Sequence, residues 1–212
     1  MPVRTIPKNY RNLTGVITTQ KSDSQVAFES SLERDLFIML EQREDVHQYS
    51  EQPVKIEFKD ENNQLRSYTP DALISFIDKP KHLVEVKYES ELKENWCELK
   101  PKFKAATKLA RSKGWVFKIY TEQRIRTPFL TNAKFLKQYR NLSAKQADVS
   151  TILSTLFELR ESTPKALLAT LQTNKWNQAT YIPLIWHLVA NNQVAADLNR
   201  PLTMNSPIWL PV

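Results

Sequence analysis

Two short apolar runs, Ala72-Leu73-Ile74 and His82-Leu83-Val84, constrain this chain most, because Thr69-Pro70-Asp71 leads into the first and Glu85-Val86-Lys87 closes the second. Lys79-Pro80-Lys81 between them reads as the turn joining two strands. Side chains alternate across a strand, so Glu85 and Lys87 share a face while Val86 points into the opposite layer. With Asp71 entering the neighbouring strand, two carboxylates converge, which is costly unless a cation lies between them. Mg²⁺ takes oxygen ligands and keeps several waters, so two carboxylates and a backbone carbonyl suffice, with a scissile phosphate as a further ligand. Mn²⁺ accepts the same ligands in a test tube. Lys87 would orient or help deprotonate the attacking water and offset charge on phosphorus. These residue types point to metal-dependent phosphodiester hydrolysis. The bland alternative is an ordinary Pro-Asp turn beside a solvated Glu-x-Lys face.

Upstream, Ser22-Asp23-Ser24-Gln25 has the form of a capping box and predicts a helix running to about Leu40. Phe28, Leu32, Leu36, Met39 and Leu40 recur at helical spacing as its buried stripe. Glu33 borders that stripe and Glu29 lies one turn earlier. Periodicity leaves both open as a further metal-facing acid.

Charge is unevenly spread. Ser90 to Lys145 carries 14 basic and 4 acidic residues, whereas Met1 to Glu89 carries 12 and 15, and Gln146 to Val212 carries 4 and 4. The basic belt includes Lys100, Lys102, Lys104, Lys108 and Arg111 on an expected helix, then Arg124 and Arg126. Beside a metal site, such an excess favours binding to a DNA phosphate backbone over a merely solvated face. Cys97 is the sole cysteine, so an intramolecular disulfide and a multi-cysteine zinc site are excluded, and a reducing compartment fits. Gly15 and Gly114 are the only glycines, which excludes a glycine-rich phosphate loop and assigns any ATP-dependent step to a partner. Neither a membrane-length apolar run nor a cleavable leader pattern is present, so a cytoplasmic location is expected. Met1 to Lys21 reads as an extended basic arm, ordered on binding DNA or a neighbouring subunit.

The remaining pattern predicts strands near Val54 to Phe58, Leu65 to Tyr68, Asp71 to Ile77 and His82 to Lys87. A helix from about Glu94 to Ser112 and a strand from Trp115 to Tyr120 follow. A crossover of that length favours parallel pairing, giving an α/β core. Thr127-Pro128 opens a closing helix to about Arg140, so the first domain is expected to span 1–141. The second, 142–212, shows three helical patterns and two strand-like pieces around Asn199-Arg200-Pro201, which suggests a winged helix. Its third helix, Asn177 to Asn191, has no Lys or Arg, which favours docking to protein over reading DNA. Trp176, Trp186 and Trp209 are expected in its core.

The stretch Phe28-Glu29-Ser30-Ser31-Leu32-Glu33-Arg34-Asp35, then Gln52-Pro53, Thr69-Pro70-Asp71 and Glu85-Val86-Lys87, resembles the TnsA transposon-end endonucleases, members of the PD-(D/E)xK restriction-endonuclease-like group. The likeness runs in order from roughly Arg11 to Tyr139, and the rest suits the family's C-terminal winged-helix module. It implies an endonuclease that cuts the 5′ ends of a transposon, the non-transferred strand, beside the DDE transposase TnsB, with TnsC as ATPase regulator. It maps metal-binding acids onto Glu33, Asp71 and Glu85, and the catalytic lysine onto Lys87. The family tolerates Gln at the second acid, where this chain has Glu85. A stand-alone restriction or repair nuclease and a non-catalytic DNA-bound adaptor are the competing readings.

Overall fold

The structure is a computed structural model that describes residues 13–60, 62–171 and 175–211, with the backbone alone for 175–177. Two compact units divide between Arg126 and Thr127.

The first unit opens with the antiparallel pair β1 (Gly15–Ile17) and β2 (Val26–Phe28). Strand β1 falls inside the segment expected to be an extended arm; residues 1–12 of that segment lie outside the described residues. Gly15 packs so closely on the Phe28 ring that a Cβ there would stand 2.6 Å from it. Helix α1 spans Ser31–Gln42, eight residues later than the Ser22 pattern predicts, because the working capping box is Ser30-x-x-Glu33. Ser30 Oγ accepts from the Glu33 N–H at 3.1 Å, and the Glu33 carboxylate accepts from the Glu29 N–H at 2.9 Å and from Ser30 Oγ at 2.8 Å. Phe28 is buried as expected, but from a strand.

Then follow β3 (Val46–Glu51), the hairpin β4 (Ile56–Lys59) and β5 (Leu65–Tyr68), β6 (Ala72–Phe76) and β7 (His82–Val86). Helices α2 (Glu89–Glu94) and α3 (Trp96–Ser112), strand β8 (Val116–Tyr120) and the short α4 (Glu122–Ile125) complete the unit. The main sheet has the order β3-β6-β7-β8. β6 runs antiparallel to both β3 and β7, while β7 and β8 are parallel, as the crossover length predicts.

Both faces of this sheet are covered. Ala106 and Ala110 of α3 pack on Leu83 of β7, with Leu73 and Phe117 alongside. Their small side chains let the helix close on the sheet. From α1, Leu32, Leu36, Phe37, Met39 and Leu40 are buried, and the Phe37 ring stacks on Tyr49 of β3 at 5.5 Å. Residues Leu83 to Val86 are therefore all buried, the signature of a strand enclosed on two sides. Lys113 caps α3, and Gly114 at φ 69° makes the left-handed exit that glycine adopts without strain.

The second unit contains α5 (Pro128–Lys137), α6 (Gln146–Leu159), β9 (Glu161–Ser162), α7 (Pro164–Leu171), α8 (Lys175–Ala190), β10 (Ala195–Ala196) and β11 (Ile208–Trp209). Leu136, Ile152, Leu156, Leu167, Ile185, Trp186 and Ile208 form its core, against a small antiparallel sheet ordered β10-β11-β9. Helix α5 belongs here, whereas sequence reading places the change of module at Leu142. Buried Asn132 of α5 donates to the carbonyls of Leu198 and Arg200 at 2.8 and 2.7 Å and accepts from the Leu202 N–H at 3.1 Å, holding the loop between the last two strands. Trp186 is buried and Trp209 half-buried, while the side chain of Trp176 lies outside the described residues.

Candidate active site

Pairing of β6 with β7 sets Ala72 opposite Val84, so one step outward Asp71 and Glu85 stand together where β6 begins and β7 ends. Asp71 Oδ2 accepts the Val86 N–H at 2.6 Å, tying the acid to the strand that carries Glu85 and Lys87. Burial pushes the Asp71 carboxyl well above its usual range, and the charges of Glu85 and Glu33 push it further. Asp71 therefore stands within the electric field of both other acids.

Glu85 is 2% exposed, and both of its oxygens are engaged. Oε2 accepts from the Tyr68 hydroxyl at 2.6 Å, and Oε1 accepts from Lys102 Nζ at 3.1 Å. Burial and the Glu85 charge raise the Tyr68 hydroxyl pKa, so it stays a donor. Lys87 Nζ lies 3.8 Å from Glu85 Oε1 and 3.5 Å from Glu91 Oε1. Burial pulls the Lys87 pKa down, yet Glu85, Asp71 and Glu91 outweigh it and hold the ammonium in its charged form. The backbone of Lys87 is anchored as well, its N–H donating to Tyr120 O of β8 at 3.1 Å.

Glu33 is turned back onto the start of its own helix. Burial raises its pKa against the hydrogen bonds from Glu29 and Ser30, and the Glu29 and Lys87 charges also reach it. Glu29 lies outside α1, and its carboxylate accepts from Gln52 Nε2 at 3.3 Å. Gln52 is buried in the left-handed conformation, φ 42°, and its N–H donates to Asp71 O at 3.0 Å. The Gln52-Pro53 turn thus fixes the backbone of the first acid, a role no periodicity announces. Among the described residues, no three His, Cys, Asp or Glu side chains are gathered closely enough to enclose a metal ion. Asp71 and Glu85 nevertheless suit a hard cation chemically, being two mutually repelling carboxylates whose strain a divalent ion would relieve.

The basic belt divides on α3. Lys100, Lys104, Lys108 and Arg111 are exposed and line a shallow groove with Trp96 and Phe103. Lys102, on the same helix, turns inward to Glu85. Arg124 is exposed, with its guanidinium 4.2 Å from the centre of the Tyr120 ring. Arg126 is engaged within the fold: it donates to Asp35 at 3.0 Å, and to Ser31 Oγ and the Tyr88 hydroxyl at 3.1 Å each. Cys97 lies on α3 and is exposed. No described helix is long and apolar enough to cross a membrane.

The TnsA-like endonuclease N-terminal family matches residues 43–122, a segment that contains Asp71, Glu85 and Lys87 but not Glu33. The TnsA endonuclease C-terminal family matches residues 124–198. No curated protein matches the chain. The two adjoining matches, which together span residues 43–198, on a mixed sheet flanked by helices, place this chain in the TnsA endonuclease family.

Proposed function

We propose that this endonuclease subunit uses Mg²⁺ to cut the 5′ ends of a transposon, severing the non-transferred strand while a DDE transposase of the TnsB kind cuts the other. The observation that carries the reading is the tie between Asp71 and β7, which sets one carboxylate beside Glu85 and within the field of Lys87. Asp71 and Glu85 would hold the ion, which would polarise a phosphoryl oxygen and make bound water a better nucleophile. Lys87, held in its charged form, would offset the negative charge that develops on phosphorus. Glu33, whose charge reaches Asp71, would be the third acid of the site, its two oxygens each accepting one hydrogen bond from Ser30 or Glu29.

Double-stranded DNA at the element end would lie along Lys100, Lys104, Lys108, Arg111 and Arg124, in the nucleoid-bearing cytoplasm. Helices α6, α7 and α8 with the small sheet of the second unit support a winged-helix description. Helix α8, Lys175–Ala190, begins earlier than the Asn177 start read from sequence and so contains Lys175, but no other Lys or Arg, which supports docking to a protein such as the ATPase regulator TnsC.

Strand-resolved cleavage of a labelled element end, with the transposase and Mg²⁺, tests the proposal. Asp71→Ala and Lys87→Ala should each lower the 5′-strand cut by roughly 10²-fold or more, with the transposase's own cut retained. An unchanged pattern would remove both residues from the chemistry and favour a DNA-bound adaptor. Efficient cutting of naked DNA without a transposase would favour a stand-alone nuclease.

A further inference from the structure

Two ammonium groups compete for one oxygen of Glu85. Lys102 reaches Oε1 at 3.1 Å, whereas Lys87 stands at 3.8 Å and divides itself with Glu91 at 3.5 Å. Lys102 is held where it is by aromatic surroundings: its Nζ lies 4.9 Å from the centre of the Tyr68 ring and 5.4 Å from that of Phe103, and its side chain is 20% exposed. The Tyr68 hydroxyl takes the other oxygen of Glu85 at 2.6 Å. Helix α3 thus supplies one cation to the interior of the site while its exposed lysines face solvent.

We propose that Lys102 is a positioning residue that, with Tyr68, clamps the Glu85 carboxylate in one orientation toward a divalent ion and keeps Lys87 from collapsing onto the same oxygen. The inference rests on the metal-site reading above. A carboxylate has about four lone-pair positions, so two donors leave room for an ion. Without Lys102, the buried Glu85 carboxylate is free to turn and to draw in Lys87, now 3.8 Å away, as its counter-charge. That change misdirects the acceptor that the ion needs. Partners that orient a ligating side chain in this way commonly govern metal affinity.

Calorimetric titration of the full chain with Mn²⁺, together with DNA affinity measured over a range of salt, tests the clamp. Lys102→Met, which keeps the length of the stem, should weaken Mn²⁺ binding by roughly 10- to 100-fold. Lys102→Arg should restore most of it, and the salt dependence of DNA binding should match wild type. Tyr68→Phe, which leaves the ring under Lys102 and removes only one hydroxyl, gives a milder variant that should weaken Mn²⁺ binding in the same direction. Unchanged Mn²⁺ affinity in Lys102→Met, with a salt slope smaller by about one, would make Lys102 a phosphate contact and overturn the clamp. Tighter Mn²⁺ binding would overturn it too, making Lys102 a competing cation. Both of those outcomes leave the metal-site reading standing, provided that Asp71→Ala abolishes binding. Mn²⁺ binding that does not depend on Asp71 would overturn both.

Discussion

The carboxylate of Asp71 accepts the backbone N–H of Val86 at 2.6 Å, so the first acid is held by the strand that bears the second. Burial and the charges of Glu85 and Glu33 raise the Asp71 pKa well above 3.8. Ionised Asp71 therefore costs the folded state free energy; the cost is absent below about pH 4 and grows as pH rises. Asp71→Asn keeps an oxygen for the Val86 N–H and sheds the charge. In EDTA at pH 7 it should raise the unfolding free energy by about 0.5–2 kcal/mol, with the gain vanishing near pH 3. Urea melts at the two pH values check this, and an unaltered midpoint at pH 7 would count against the charge crowding.

Asp45 shows the opposite sign. Arg43 grips it with two hydrogen bonds, at 2.8 and 2.7 Å, and Lys79 adds a third at 3.0 Å. Arg43 chiefly, then Lys79, lowers its pKa from 3.8 to about 2 against the opposing effect of burial. The stabilisation is complete above pH 4 and is lost as pH falls through about 2. Because the pair is only half-buried, Asp45→Asn should cost only about 0.5–1 kcal/mol at pH 6. The difference from wild type should shrink steadily between pH 4 and 2, as followed by denaturant midpoints.

The juxtaposition of the candidate residues was more legible than its setting. That Asp71, Glu85 and Lys87 come together could be read because strand alternation and a Pro-containing turn leave a local signature, and the hairpin and the parallel β8 followed from the same pattern. The start of α1 could not, since Ser22-Asp23-Ser24-Gln25 and Ser30-Ser31-Leu32-Glu33 both offer a cap, and only burial of Val26 and Phe28 in a strand decides between them. Strand β3 was missed because Val46-His47-Gln48-Tyr49-Ser50-Glu51 is polar at the sequence level; its pairing with β6 is a tertiary effect. The inward turn of Lys102 is equally invisible, because a lysine's spacing does not say which way its stem packs.

The exposed and engaged cations of the belt should respond differently to substitution. Lys104→Ala and Lys108→Ala should each lower the slope of log affinity against log salt by about one, with little change in melting temperature. Arg126→Ala should instead lose its contacts with Asp35, Ser31 and Tyr88 and leave the buried acid with one of its two arginines, Arg34 at 3.2 Å. That loss should cost about 1–3 kcal/mol, with the salt slope retained. Filter binding at several salt concentrations, alongside thermal melts, separates the two classes.

Asn132 gives a test of the second unit. Removing its amide leaves two carbonyls and one N–H in the 198–202 loop without their partner. Asn132→Ala should destabilise that unit by about 2–4 kcal/mol and loosen the loop. Faster amide exchange at Leu202 in the variant is the expected signature, and unchanged protection there would remove the clamp.

The N–H of Lys87 closes on the carbonyl of Tyr120, across the whole of α3. Such a non-local pairing is late to form, because the intervening chain must be ordered before the contact repays its closure. A growing chain that ends short of β8 carries Glu33, Asp71, Glu85 and Lys87 and still lacks the strand that anchors the lysine's backbone. On the roles proposed for these residues, cutting competence would arrive only with completion of the sheet, and a half-made subunit would be spared from acting as a stray nuclease.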